Sequence, residues 1–196
     1  MAFIDRTNFV FGYGSLVNVK NLEQYLKRQL KQNNDYTICS LYNFQRCWNV
    51  AMDNKVDLPE YKYYRDRFTN KRINGFVTFL NIRPYSDRII SGILFRVSHK
   101  ELRKLDLRER NYQRIDITNQ LNIQVQNAWV YIGSQEAKQR YQKGLSQGKA
   151  VIAQDYYNSV ENAYRSLGEK QWANYIATTD KPSLPITDLE VYPTNL

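Results

Sequence analysis

Histidine and cysteine are scarce: His99 stands alone, and Cys39 and Cys47 are the only thiols in 196 residues. A zinc centre of ordinary Cys/His spacing cannot be assembled from that set. A serine–histidine hydrolase would have to use His99 itself, and the serine of "GYGSL" does not sit in a G-x-S-x-G nucleophile elbow. Acid–base chemistry, if the chain performs any, falls to a carboxylate. Long apolar runs are missing too, since none approaches the roughly 18 residues that would span a bilayer. Asp5 and Arg6 precede only a very short apolar segment, unlike the basic start and longer apolar stretch of a signal peptide. The expectation is a cytoplasmic protein with reduced thiols in its core. There is no internal repeat, low-complexity tract or Pro/Gly-rich linker.

Core-forming residues are ample. Hydrophobic residues make up 42% of the chain and tyrosine occurs 16 times, which excludes disorder. At about 100–200 residues per domain, residues 1–196 read as a single domain. The 28 basic against 19 acidic residues leave a net charge of +9. That favours an anionic partner: nucleic acid, a membrane surface, or a small carboxylate or phosphate. A basic solvated surface accounts for it equally well, because the excess is spread through "LKRQLK", "YRDRF", "NKR" and "LRKLDLRER".

The stretch "FVFGYGSLV" reads as a short buried strand, residues 9–11, entering a turn at Gly12–Ser15. Leu22, Leu26 and Leu30, four apart, predict a helix over residues 19–32 with Asn18 as N-cap. "ICSLYNFQRCWNV", "NGFVTFLNI" and "RIISGILFRV" read as strands, the last two separated by the turn-like "RPYSD". Residues 53–71 are polar, charged and tyrosine-rich, and predict a long loop. Ser98 followed by Glu101 is a capping-box pattern that starts a helix near His99, running to about Arg110. "YQRIDIT" and "LNIQVQNAWVYIG" alternate as strands around a short turn at residues 119–120. Residues 155–167 read as a helix with Gly168 at its end, followed by a helical piece around residues 172–176. Strands in the middle with helices at several points predict an α+β fold with a mixed, β-barrel-like sheet.

Two places can carry chemistry. Glycines 12 and 14 let the backbone bend and approach a ligand, and amides at the start of a helix lack partners, so the turn can hold an anion. A plain tight turn has the same pattern, and no third glycine completes a dinucleotide fingerprint. Further on, Leu102, Leu105, Asp106 and Glu109 share one face of a helix, so an apolar stripe ends in a carboxylate. Burial raises the proton affinity of such a group, as a general base working near neutrality needs. An exposed glutamate balanced by arginines is the plainer alternative. Ser15 reads as a capping or substrate-contact hydroxyl, and Asp106 is placed equally to pair with Glu109 three residues on or to balance Arg103 or Arg110. "YKYYRDRF" interleaves basic and aromatic residues, as a single-stranded nucleic-acid surface does. More often such a stretch is a loop whose tyrosines cover the body of the domain.

"FVFGYGSL" together with "SGILFRVSHKELRKLDLRERNYQRIDI" resembles the γ-glutamylcyclotransferase-like family. There a Y-G-S-L-type loop follows the first strand. A mid-chain block follows, matched here by Gly92, Phe95, Val97, Leu105, Asp106, Glu109, Tyr112 and Arg114. The resemblance covers residues 9–118. It implies a mixed αβ barrel-like fold and cofactor-free cyclisation of a γ-glutamyl group to 5-oxoproline, releasing an amino acid, peptide or amine. By the same resemblance Glu109 is the catalytic residue, and Tyr13, Gly14, Ser15 and Leu16 grip the γ-glutamyl moiety, with no metal. The loop and "RE" of "LDLRERN" look like the glutathione-specific branch, whereas the middle of the chain lacks that branch's Asp-His-Arg-Gly stretch. The leaving group therefore stays open. The expected partner is a small γ-glutamyl substrate, with membrane and nucleic acid disfavoured. The rival expectation is a non-catalytic member of the same fold that binds an anionic partner.

Overall fold

The computed structural model describes residues 7–194; Asp5 and Arg6, on which the reading of the N-terminus rests, lie outside them. Its spine is a hairpin of two very long strands, β2 (Tyr36–Asp53) and β4 (Phe76–Val97), paired antiparallel from Tyr36↔Phe95 to Asp53↔Phe76. The sequence predicts two strands across "RPYSD"; the structure keeps one. Both halves of β4 pair with β2, and the extra residues bulge out where the register shifts between Tyr42 and Phe44. Asn43, at a φ of 64°, accepts a hydrogen bond from the Asp87 amide across this bulge (3.3 Å).

The other edge of β4 is shared. β1 (Asn8–Gly12) takes one end of it, from Asn8↔Val97 to Gly12↔Ile93, and also runs parallel to β6 (Asn127–Gly133). β5 (Tyr112–Asp116) closes that side antiparallel to β6. β7 (Ala150–Ala153) takes the far end of β4 in parallel at Phe76 and Val77, with β8 (Ile186–Thr187) beyond it. Between β1 and β7 that edge of β4 has no strand neighbour among the described residues. The glycine turn leaves β1 into that gap.

Helices flank the sheet. α1 (Val19–Leu26) is capped by the Asn18 side chain, which accepts from the Asn21 amide (3.1 Å). It stops six residues short of the predicted end because Lys27 turns left-handed at a φ of 56°; Leu30 is buried all the same, its amide held by Glu23 Oε1 (2.8 Å). α2 (His99–Arg108) carries the predicted capping box, with Ser98 and Glu101 each bonding the other's backbone. α3 (Gln135–Ser146) was not predicted: its sequence is almost wholly polar, and only Ala137 and Gly144 are buried. α4 (Gln154–Ser166) packs Val160, Ala163 and Tyr164 inward; Gly168, at a φ of 110°, separates it from α5 (Glu169–Ala177).

Two further expectations are corrected. The alternation of residues 121–125 does not make a strand: a 3₁₀ turn at Thr118–Gln120 precedes irregular chain, and β6 begins only at Asn127. Residues 53–71 are not all loop. β3 (Lys62–Asp66) lies among them and pairs antiparallel with β9 (Leu189–Pro193), a partner from the other end of the chain. Tyr64 is buried there, while Tyr63 stacks on Tyr192 at 5.6 Å. Cys39 and Cys47 are free and buried, and burial pushes the Cys47 thiol up to about 12. The predicted mixed α+β architecture, a central mixed sheet with flanking helices, is the one observed. Among the described residues no helix is long and apolar enough to cross a membrane.

Candidate active site

The turn after β1 is fixed by close packing. Neither Gly12 nor Gly14 takes a left-handed φ. At Gly12 a Cβ would lie 2.8 Å from the Leu16 carbonyl oxygen, so a side chain there would push the turn open. Residues Ser15–Val17 form a single 3₁₀ turn, with Val17 N bonded to Gly14 O (3.0 Å) and Asn18 N to Ser15 O (3.2 Å). The predicted direct passage from turn to α-helix is thus interrupted. Tyr13 points into the core: its hydroxyl donates to the Tyr131 carbonyl (2.6 Å), and its own carbonyl accepts from the Tyr164 hydroxyl (2.9 Å). Ser15, two residues on, is half-buried at the rim of a cavity.

Glu109 comes to the same place from α2. The helix ends one residue earlier, at Arg108, rather than at about Arg110 as its sequence predicts. The Glu109 amide still donates to the Leu105 carbonyl (2.9 Å), so the residue keeps the helical phase that buries Leu102 and Leu105. Its side chain is 13% exposed. Asp106, predicted on that face, turns outward instead. It accepts from the Tyr131 hydroxyl (2.8 Å) and pairs with Arg114 (3.1 Å), rather than with Arg103 or Arg110.

Around Glu109 lies a cavity of about 440 Å³, within the range of small-molecule sites. A narrow recess of about 20 Å³, lined by Tyr13, Gly14, Ser15, Leu16 and Glu109, adjoins it. The five residues singled out in the sequence therefore converge on one recess. Ser15, Glu109, Tyr112 and Tyr156 line both spaces. Tyr112 and Tyr156 meet at the gap in β4, where the edge of Leu80 turned away from β2 has no strand neighbour among the described residues. Tyr112 donates to the Leu80 carbonyl (2.8 Å), and the Leu80 amide donates to the Tyr156 hydroxyl (3.3 Å). Two ring hydroxyls thus replace a missing strand, and the floor stays open.

The electrostatics of the cavity are set by burial. It raises the proton affinity of Glu109 above the ordinary carboxylate value, while Arg108 and Lys62 oppose it without cancelling it. Arg108 Nε lies 3.4 Å from Glu109 Oε1. Lys62, carried by β3, sits among rings, its ammonium 4.9 Å from the centre of Phe79. Burial works against its charge, Tyr64 and Tyr61 support it, and the balance lies above the ordinary lysine value, so Lys62 stays cationic. Tyr13 and Tyr112 are pushed well above the usual phenol range, chiefly by burial, and act as neutral hydroxyls. A proton-accepting carboxylate, a fixed cation and a ring of neutral hydroxyls can bind a zwitterion and move one proton. No group of three or more potential metal ligands occurs among the described residues.

Sequence reasoning missed Lys62, Arg108 and Tyr156. Lys62 stands in "YKYY", whose aromatic–basic interleaving points to a covering loop more than to nucleic acid, and to neither as a cavity lining. Arg108 was visible only as a neighbour of Glu109. Tyr156 lay on a predicted helix face with no indication of what that face would meet.

A central mixed sheet flanked by helices, with a strand-end glycine turn and a buried carboxylate on one cavity, defines an α+β fold of the cyclotransferase type. The chain belongs to the gamma-glutamyl cyclotransferase, AIG2-like family, whose family model matches residues 10–156. Among solved structures it is similar to a gamma-glutamyl cyclotransferase, at 10% identity and a TM-score of 0.52 over 93% of this chain and 94% of the other. It is also similar to the uncharacterized protein loc79017 from Homo sapiens, at 11% identity and a TM-score of 0.54 over 93% and 94% of the two chains. YkqA from Bacillus subtilis aligns at 14% identity with a TM-score of 0.54, over 92% of this chain but 56% of YkqA. At these identities the likeness is one of fold. No curated protein matches the chain.

Proposed function

We propose that this chain cyclises a γ-glutamyl group to 5-oxoproline, releasing an amino acid, peptide or amine. The observation that carries the reading is a desolvated carboxylate, Glu109, on the recess that the glycine turn also lines. Family membership adds to it. The γ-glutamyl head is a zwitterion. Its α-carboxylate is matched by Lys62 and its α-ammonium by Glu109. Transfer of one proton from the ammonium to Glu109 frees the nitrogen lone pair, and the raised proton affinity of Glu109 favours that transfer. The nitrogen then attacks the γ-carbonyl carbon. A C–N bond forms, and the carbonyl electron pair moves to oxygen. Attack is intramolecular, so the main task of the protein is to hold the substrate in ring-closing geometry. Amides of the Ser15 turn precede its first hydrogen bond and are of the kind that steadies an oxyanion. On collapse the old amide C–N bond breaks and Glu109 returns its proton to the leaving nitrogen; the ring nitrogen then gives up its second proton, through Glu109, to the freed amine, so that a neutral lactam and an ammonium result.

The test is a panel of γ-glutamyl dipeptides, γ-glutamyl amines and glutathione, with 5-oxoproline identified by mass spectrometry. Turnover by the parent chain that drops by roughly 10²–10⁴-fold in Glu109→Gln, with unchanged circular dichroism, is the expected result. A panel without product removes the proposal.

A further inference from the structure

Lys62 enters the cavity wall from outside the main sheet. β3 belongs to a separate two-stranded sheet with β9, and its register ends at Lys62↔Pro193. The ladder bonds of an antiparallel pair fall on alternate positions. Here Arg67 N donates to Asp188 O (3.1 Å) and Thr194 N to Tyr61 O (3.0 Å). Lys62 therefore occupies a position that makes no ladder bond to β9, and a proline opposite it does no harm. Its backbone is placed by its neighbours. On the N-terminal side those neighbours are awkward to anchor, because the chain arrives through a left-handed Glu60 (φ 51°), which breaks the strand.

Thr194 supplies the anchor. It is 7% exposed, and its hydroxyl serves two peptides at once, accepting from the Tyr61 amide (2.9 Å) and donating to the Leu58 carbonyl. With its own amide on the Tyr61 carbonyl, this one residue satisfies three backbone groups on both sides of the Glu60 kink. The Tyr61 hydroxyl in turn accepts from Asn111 Nδ2 (3.0 Å), two residues beyond Glu109. The Lys62 ammonium lies 5.8 Å from the Tyr61 ring centre, 5.7 Å from that of Tyr64 and 4.9 Å from that of Phe79, so its position follows the backbone that carries these rings. Thr194 itself lines neither the cavity nor its recess.

From this arrangement we infer that Thr194 is a positioning residue, which acts through Tyr61 to hold Lys62 where its ammonium receives the α-carboxylate of the substrate. The inference rests on the cyclotransferase reading above and adds to it a residue that the substrate never touches. A binding group displaced by about 1 Å can lose up to about 10²-fold in rate, so a strand end that frays at Tyr61 is felt at Lys62.

The deciding pair is Thr194→Val, which keeps the shape and loses the hydroxyl, and Thr194→Ser, which keeps the hydroxyl. With 5-oxoproline as readout, Thr194→Val is expected to raise KM for a γ-glutamyl dipeptide about five- to tenfold while kcat stays within about twofold, the pattern of lost ground-state binding. Thr194→Ser should bring KM back to within about twofold of the parent chain. A purely structural role would lower the folded fraction, and with it the apparent kcat, and leave KM where it was. In a Lys62→Met chain, Thr194→Val should add no more than about twofold to KM, because its effect passes through Lys62. An unmoved KM in Thr194→Val, no recovery in Thr194→Ser, or an undiminished further rise in the Lys62→Met chain overturns this inference and leaves the cyclotransferase reading standing. Absence of product from the parent chain overturns both.

Discussion

Arg46 and Glu109 are both withdrawn from water, and the protein treats them in opposite ways. Arg46 is fully buried, yet among the described residues no carboxylate pairs with it. Its charge is solvated by dipoles and rings instead. Nη1 donates to Thr178 Oγ1 (2.6 Å), and Nη2 donates to the Tyr164 hydroxyl (2.9 Å) and the Ser91 carbonyl. The guanidinium lies 4.8 Å from the Tyr164 ring centre and 5.4 Å from that of Tyr175. Both Nη atoms are thus engaged, and of its nitrogens only the buried Nε has no hydrogen-bond partner among the described residues. Glu109 meets one guanidinium at 3.4 Å and otherwise faces open volume. Desolvation is common to both; what differs is whether the surrounding structure already spends the group's bonding capacity. A buried charge whose bonds are mostly made within the protein holds the fold, whereas one beside a cavity is poised to act.

The largest effect that would break this contrast lies at Arg46. Arg46→Ala removes a long packed side chain, leaves Thr178 Oγ1 and the Tyr164 hydroxyl without the Arg46 donors, and takes one of two partners from the Ser91 carbonyl. Cavity formation and orphaned acceptors together are expected to lower unfolding free energy by about 3 kcal/mol or more, measured by urea denaturation. A loss below about 1 kcal/mol would mean that Arg46 is not a structural keystone, and the contrast with Glu109 would fail.

Tyr164 joins the two regions. Its hydroxyl touches Arg46 Nη2 and the carbonyls of Ser91 (3.0 Å) and Tyr13 (2.9 Å), so the structural cluster steadies the base of the glycine turn. Tyr164→Phe keeps the ring contact and removes only those bonds. The expected cost is about 1–2 kcal/mol of stability. A several-fold fall in kcat/KM should accompany it, since the turn is then held less tightly. A stability loss with turnover fully preserved would show the two regions to be independent.

How much of this was legible depended on how locally each feature is encoded. The Ser98–Glu101 capping box and the Asn18 cap are settled within four residues, and the sequence displayed both. The apolar stripe of Leu102 and Leu105 also pointed Glu109 inward, although the helix ends at Arg108. Features that depend on distant partners were hidden. β3 is a strand because β9 pairs with it, and "YKYYRD" alone reads as loop. Arg46 alternates along β2 like any polar residue; its partners Tyr164 and Thr178 lie 118 and 132 positions further on. Leu121, Ile123 and Val125 alternate convincingly, yet they pack against the core without making a strand. Periodicity reports which side chains are buried and leaves open what covers them.

The subtlest expectation concerns what the burial of Glu109 costs the fold. Its proton affinity is raised in the folded chain, first by desolvation, with Arg108 and Lys62 offsetting only part of that. A carboxylate whose folded pKa lies above its unfolded value of 4.5 favours folding most when it is protonated in both states. That contribution is fully present below about pH 4.5 and is lost as pH rises through the raised folded value. Glu109→Gln has the shape of the acid without its ionisation. Its melting temperature at neutral pH should therefore equal or exceed that of the parent, and the gap should close as pH falls towards 4.5. Removing a carboxylate beside two cations would ordinarily destabilise by lost attraction. If Glu109→Gln proves less stable at neutral pH, attraction to Arg108 and Lys62 outweighs desolvation. Glu109 would then belong with Arg46 among the charges whose bonding is already spent on the fold.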